Sequence, residues 1–357
     1  MSERNEKFTG TKAVQAHLRF DTTRLQDWLE VNVPDYVGPL EIREFKGGQS
    51  NPTYQLVTPG KKYVLRRKPP GELMPSAHAV DREFRVISAL HAAGFAVPRA
   101  YALCEDEAVT GTMFYVMEMV DGNIYWDLTL PDQTPTERRA IYDAKVSTLA
   151  HLQRLDYAEI GLEGFGKTTD YMARQIHRWT KIYQASETTN IPVMNKLISW
   201  LPEHIPDSQE VCVVHGDYRM DNMVFHPTEH RVVAVLDWEL STLGHPLGDF
   251  VYHLCPWLLP PLDERISSLS GLDFETHGIP TMEQYIERYC ELSGRKEIEH
   301  LEFYNAYTVW RMAAIYQGII KRVEDGTAAS ADAPTTTDIV EQMADCAWRY
   351  AQGKTPD

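Results

Sequence analysis

The chain has 357 residues, 43% of them apolar, and Asp and Glu outnumber Lys and Arg 51 to 35 for a formal charge of −16. That length and apolar content imply a sizeable core divided between two lobes, and the acidity argues against nucleic acid and anionic membrane as partners, since both reward a basic surface. No apolar run of about 18 residues occurs, and the opening MSERNEKFTGTK lacks the apolar stretch of a signal peptide, so a soluble, cytoplasmic protein is expected.

Residues 1–20 are polar and read as an arm. Asp21 or Thr22 then caps TTRLQDWLEVNV, where Leu25, Trp28 and Leu29 recur at helical spacing. Leu40–Phe45 alternates and runs into Gly47, Gly48, Gln49, Ser50 and Asn51, after which Thr53–Val57 and Lys62–Arg67 read as two more strands. Strand, glycine loop, strand lets backbone N–H groups approach phosphate oxygens, which makes Gly47, Gly48, Ser50 and Asn51 candidate nucleotide-binding residues. Within Tyr63–Arg67 the alternation sends Val64 and Arg66 to one face and Tyr63, Leu65 and Arg67 to the other.

The segment SAHAVDREFRVISALHAAG predicts a helix capped at Ser76 and ended by Gly94, with Val80, Phe84, Ile87 and Leu90 on one face and Glu83 beside it. Tyr101–Glu105 and Thr112–Met119 read as the last strands of a first lobe, and Met117, Glu118, Met119, Val120, Asp121 and Gly122 as the connection to a second. Thr134 opens a helix through about Leu155, and helices at Asp170–Ser186 and Pro192–Leu201 follow. This pair carries Trp179, Tyr183 and Met194 as candidate apolar walls of an acceptor pocket, with Arg174, Arg178 and Lys181 on one helical face. The five cysteines, Cys104, Cys212, Cys255, Cys290 and Cys346, show no CxxC spacing, so neither a zinc site nor a disulfide framework is expected.

The chemistry concentrates in VCVVHGDYRMDNMVFHPTEHRVVAVLDWE, residues 211–239. An apolar run breaks into a polar loop with His215, Asp217, Arg219, Asp221 and Asn222, and a hairpin of Met223–Phe225 with Val232–Leu236 delivers Asp237. Pairing Phe225 with Val232, Val224 with Val233 and Met223 with Ala234 puts Asn222 near Val235 and Asp237 about two residues beyond, at roughly 3.3 Å each, an offset that a metal ion bridges. Asp, four residues, Asn and then a distant Asp at a strand end is an apparatus for phosphoryl transfer: one Asp accepts a hydroxyl proton, and Asn with the second Asp holds Mg²⁺ on a triphosphate.

HGDYRMDN followed by VLDWE resembles the catalytic and metal-binding motifs of the aminoglycoside phosphotransferase family, whose fold is that of a protein kinase. More narrowly it is similar to kinase-like domains related to those fused to acyl-CoA dehydrogenases, over about residues 25–350. The resemblance implies an α+β, two-lobed fold, with an antiparallel-sheet N-lobe plus one helix at 21–120 and a mostly helical C-lobe at 121–357. It implies ATP and Mg²⁺, with Asp217 as base, Arg219 in place of the catalytic-loop lysine, and Asn222 and Asp237 on the metal. Arg66 stands in the register of the phosphate-holding lysine, with Arg67 and Lys68 as alternatives, and Glu83 as its partner. The Glu118 carbonyl and Val120 amide would meet adenine, and Asp249 would brace the catalytic loop, leaving His245 as a turn residue.

The implied activity is phosphorylation of a small-molecule hydroxyl, with a hydroxyacyl thioester as the leading acceptor. An aminoglycoside kinase and a nonenzymatic, nucleotide-binding pseudokinase are the alternatives, with a protein kinase disfavoured because no DFG, APE or activation segment follows Asp237. Helices at about Met282–Ser293, Glu297–Glu324 and Thr335–Gln352 close the chain, and Trp310, Arg311 and Tyr316 are candidates to face the acceptor.

Overall fold

The computed structural model describes residues 9–46, 51–71, 78–262, 266–327 and 336–354. The chain divides into two units, one of Met1–Gln133, Asp156–Leu162 and Arg219–Ser241, the other of Thr134–Leu155, Glu163–Tyr218 and Thr242–Asp357.

The first unit is built on an antiparallel sheet in the order β1-β2-β3-β4-β6-β5, from β1 (Thr11–Lys12), β2 (Glu41–Phe45), β3 (Thr53–Val57), β4 (Lys62–Arg67), β5 (Ala100–Cys104) and β6 (Phe114–Glu118). The polar arm thus contributes an edge strand, Thr11 and Lys12 pairing with Phe45 and Glu44. Ladder pairing uses backbone groups alone, so no apolar pattern announces it. Helix Thr22–Asn32 starts at Asp21, whose carboxylate accepts the Thr23 and Arg24 amides at 2.9 and 3.2 Å. Its Leu25 and Leu29 pack with Tyr54, Leu56, Tyr63, Leu65, Phe114 and Val116, all of them at 0% exposure. Burial of such side chains stabilises by roughly 1.5–3 kcal/mol each, and it is the period-2 alternation of β3, β4 and β6 that gathers them on one face.

The next helix runs Val80–Ala92 and does not begin at Ser76: His78 sits in the left-handed region at φ 58°, and Ala79 caps without a side-chain hydrogen bond. A left-handed residue breaks the helical path, so the first turn forms only after it. Ser76 itself lies outside the described residues.

The hairpin pairs Met223–Phe225 with Val232–Val235, but in a shifted register. Phe225 faces Val232, whereas Val224 faces Ala234 and Met223 faces Val235, so Val233 is an extra residue in a bulge. The bulge draws the strand end one residue further along, and the Leu236 amide donates to the Asn222 carbonyl at 2.8 Å. Asn123 exchanges both backbone hydrogen bonds with Phe225 at 2.8 Å, fixing the segment after β6 to the hairpin. Gly122 permits that approach, since a Cβ there would lie 2.3 Å from the Phe225 carbonyl oxygen.

The second unit is mainly helical. Thr134 and Glu137 form a capping box at the start of Pro135–Arg154, and Tyr171–Ser186, Pro192–Glu203, Met282–Ser293, Leu301–Glu324 and Asp338–Ala351 follow. A short ribbon pairs Cys212–Val214 with Thr242–Gly244. Tyr183 and Met194 are at 0% exposure, so these two proposed pocket walls belong to the core; apolar positions at helical spacing point first to other helices. The five cysteines are free and buried. Among the described residues no helix is long and apolar enough to cross a membrane.

Candidate active site

In the first unit the two faces of β4 have different fates. Tyr63 and Leu65 enter the core, while Val64 and Arg66 line a cavity of about 220 Å³ together with Ile87, Met117, Glu118, Val120, Asn222 and Asp237. The apolar part of this lining suits a planar heterocycle, and its polar end gathers around Arg66. The Arg66 Nε lies 2.6 Å from Glu83 Oε2, its Nη2 bonds the Asp237 carboxylate, and Glu239 lies 3.6 Å away. Arg67 turns to the opposite face, donating to the Thr110 carbonyl at 2.8 Å with its guanidinium 4.9 Å from the centre of the Phe20 ring. Of the cations at the end of β4, Arg66 is therefore the one among the carboxylates.

Glu83 is 1% exposed and accepts from Asn51 Nδ2 at 2.8 Å and Tyr115 Oη at 3.1 Å as well. Burial pushes its carboxyl up, with the charge of Asp237 adding to the shift and the field of Arg66 and the Tyr115 hydroxyl opposing it. Burial by itself would favour a neutral Arg66, but Glu83 and Asp237 outweigh it and raise its pKa. The Asn51 amide is thus spent on Glu83 and, through Oδ1, on His78 Nδ1 at 2.9 Å. Gly47, Gly48 and Ser50 lie outside the described residues.

Arg66 is thus one basic side chain among three acidic ones, Glu83, Asp237 and Glu239. Asp237, with its backbone at φ 66°, and Asn222, tied to Leu236, offer hard oxygen donors, which is the chemistry Mg²⁺ selects. Among the described residues no group of three or more His, Cys, Asp or Glu side chains forms a metal cage; the donor set fits an ion that takes its remaining oxygens from phosphate and water. Arg219 pairs with Asp221 at 2.8 Å. Glu239 and Tyr115 were missed from sequence. Glu239 had a signal, two residues after Asp237 in VLDWE; Tyr115 had none, since its role rests on the pairing of β4 with β6.

In the second unit a buried Asp249 holds the loop after Cys212–Val214. It accepts the His215 and Gly216 amides at 2.5 and 2.8 Å, the bracing role expected of it. Burial pushes its carboxyl up, and His215 and these amides oppose the shift. Gly216 sits at φ 87°, a conformation open to glycine. Asp217 follows: its amide donates to His215 Nδ1 at 3.2 Å, and its Oδ1 accepts from Tyr252 Oη at 3.0 Å.

His245 caps helix Pro246–His253 by accepting the Leu247 amide, and burial lowers its pKa to about 4. Trp310 is at 0% exposure in the core and Tyr316 is half-buried, whereas Arg311 Nη2 donates to the Gly216 carbonyl at 3.0 Å. Arg174 donates to the Lys167 carbonyl, Arg178 lies 5.9 Å from the Trp179 ring centre, and Lys181 is exposed.

Residues 41–280 match the model of a phosphotransferase enzyme family. The chain is 46% identical over 314 residues to acyl-CoA dehydrogenase family member 10 of Mus musculus, covering 88% of this chain and 29% of that protein. It is 43% identical over 333 residues to acyl-CoA dehydrogenase family member 11 of Homo sapiens, covering 92% and 42%. The chain spans less than half the length of these relatives. A solved structure from Ralstonia eutropha, assigned by name to the aminoglycoside phosphotransferases, is 48% identical with a TM-score of 0.86 over 94% of this chain and 99% of that one. A thermostable mutant of the aminoglycoside phosphotransferase APH(4)-Ia, in complex with ADP and hygromycin B, shares the fold at a TM-score of 0.58 and 15% identity over 93% of this chain and 99% of that one.

Proposed function

The chain belongs to the phosphotransferase enzyme family, and from that premise we propose that it is an ATP-dependent kinase that phosphorylates a hydroxyl of a small molecule, with a hydroxyacyl thioester as acceptor. One observation carries the ATP reading: Arg66 stands between Glu83 and Asp237 at the polar end of a cavity whose other wall is Met117, Glu118 and Val120. Adenine lies against the apolar wall and meets the Glu118 carbonyl and Val120 amide. Arg66 exchanges its bond to Asp237 for phosphate oxygens, which its planar fork holds bidentately. Gly47, Gly48, Ser50 and Asn51 are assigned to the phosphates from the sequence, Asn51 without its side-chain amide, which Glu83 and His78 occupy. Asn222 and Asp237 would hold Mg²⁺, which when bound neutralises triphosphate charge.

Asp217 orients the acceptor hydroxyl and takes its proton, a role usually worth 10²–10⁴-fold. Arg219 offsets charge on the phosphoryl group in transfer. The acyl acceptor is supported by the names of the relatives, both of the acyl-CoA dehydrogenase family, and the rival aminoglycoside by the chain's charge of −16. A cytoplasmic location, and small molecules in place of nucleic acid as partners, complete the proposal. The test is ADP release with Mg·ATP and, in turn, a hydroxyacyl-CoA, the free hydroxy acid and an aminoglycoside, with the phosphorylated product identified by mass. Turnover confined to the thioester is the expected result; preference for the aminoglycoside overturns the acyl assignment, and ADP release with none overturns the kinase.

A further inference from the structure

Arg311, on helix Leu301–Glu324, is 7% exposed. Its guanidinium is sandwiched 4.9 Å from the ring centre of Tyr252 and 5.2 Å from that of Trp179. An unbranched apolar side chain would fill a slot between two rings without the desolvation cost of a buried charge, so shape alone does not account for an arginine. Burial by itself would lower its pKa, yet the oxygens of Tyr307, Tyr252, Tyr171 and Asp217 raise it, so the group is a cation.

The charge is directed at one peptide group. Gly216 has its N–H bound by Asp249 at 2.8 Å and its carbonyl bound by Arg311 Nη2 at 3.0 Å, so a residue at φ 87° is gripped from both sides. The next residue is Asp217, whose Oδ1 accepts from the Tyr252 hydroxyl at 3.0 Å, and the ring of that tyrosine is one face of the Arg311 sandwich. Arg311 therefore touches both the backbone that carries Asp217 and the side chain that aims it. We propose that Arg311 is a positioning residue for the phosphotransfer, fixing the Asp217 carboxylate through the Gly216 carbonyl and the Tyr252 ring. This rests on the kinase reading above, with Asp217 as the group that meets the acceptor.

The test compares wild type with R311M, R311K and Y252F in two readouts: amide hydrogen exchange across residues 215–218, and kcat and KM for ATP with hydroxyacyl-CoA as acceptor. In R311M the loop should exchange about tenfold faster or more and kcat should fall by about 10- to 100-fold, the range for a lost charge-assisted hydrogen bond. KM for ATP should stay within about twofold of wild type, because nucleotide contacts are untouched. R311K, which restores a charged donor, should recover part of both losses. Y252F should lower kcat while leaving loop exchange as in wild type. Wild-type exchange and kcat in R311M overturn the proposal, as does exchange that accelerates equally along the whole of Leu301–Glu324, the mark of a merely structural residue. Wild-type kcat in Y252F overturns the Tyr252 link. The exchange readout needs no acceptor, so a wild-type protein that transfers no phosphate defeats the kinase reading while the clamp is still judged by its loop.

Discussion

Replacing Glu83 by alanine removes the carboxylate that receives Arg66 Nε at 2.6 Å, Asn51 Nδ2 at 2.8 Å and Tyr115 Oη at 3.1 Å. The site is 1% exposed, so water does not replace what is lost. Removing one partner of a buried ion pair costs about 3–5 kcal/mol, and each neutral donor left unsatisfied about 1–3 kcal/mol. Arg66 keeps Asp237, which offsets part of the sum, so the net expectation is about 3–5 kcal/mol against a total of about 5–15 for a domain. Glu83→Gln keeps the shape and one acceptor oxygen and should cost roughly 1–2 kcal/mol. Urea unfolding of the three proteins at pH 7.5 measures the differences as midpoint shifts at a common m value. Arg66→Met combined with Glu83→Ala should destabilise by clearly less than the sum of the two single changes, because each single variant already loses the pair. A Glu83→Ala protein within about 1 kcal/mol of wild type would refute the view that this carboxylate organises the site.

His245 supplies a pH dependence. Its folded pKa of about 4 lies below the ordinary histidine value of 6.5, so the unfolded chain binds the proton first and stability falls as pH drops from about 6.5 towards 4. At pH 5 the loss is about 2 kcal/mol relative to pH 7.5; His245→Asn, whose side-chain oxygen replaces ring Nδ1 as the capping acceptor, should remove that part of the slope in paired urea melts, and an unchanged slope would acquit His245. At Gly122 an alanine Cβ would lie 2.3 Å from the Phe225 carbonyl oxygen and 2.6 Å from Val224 Cγ1. Gly122→Ala should therefore lower stability by about 1–3 kcal/mol, and an unshifted melting temperature would mean that the hairpin yields freely.

The sequence carried β3, β4 and helix Met282–Ser293 to the residue, because each has a clean period and turn residues at both ends. The pairing of Arg66 with Glu83 and the place of Asp249 under the loop of His215 and Gly216 came from the family resemblance, strand alternation adding only the face on which Arg66 lies. The hairpin register was one residue out. Val232, Val233, Ala234 and Val235 are all small and apolar, so nothing in the pattern marks Val233 as the bulge. Start sites set by backbone conformation, such as the left-handed His78 ahead of Val80, leave no trace at a capping position. Arg311 is a sequence candidate to face the acceptor, but its bond to Gly216 spans 95 positions and belongs to tertiary packing. Tyr183 and Met194 failed as pocket walls because an apolar helical stripe looks the same whether it faces a ligand or another helix.

Under the proposed function Asp217 serves the acceptor while the residues around Arg66 serve the nucleotide. The direct measurement pairs single-turnover transfer from Mg·ATP to a hydroxyacyl-CoA with calorimetric binding of Mg·ADP, in wild type and Asp217→Asn. Transfer should slow by at least about 10²-fold in the variant while the Kd for Mg·ADP stays within about twofold. Transfer at the wild-type rate, or a loss of transfer matched by an equal loss of nucleotide affinity, would contradict that division of roles.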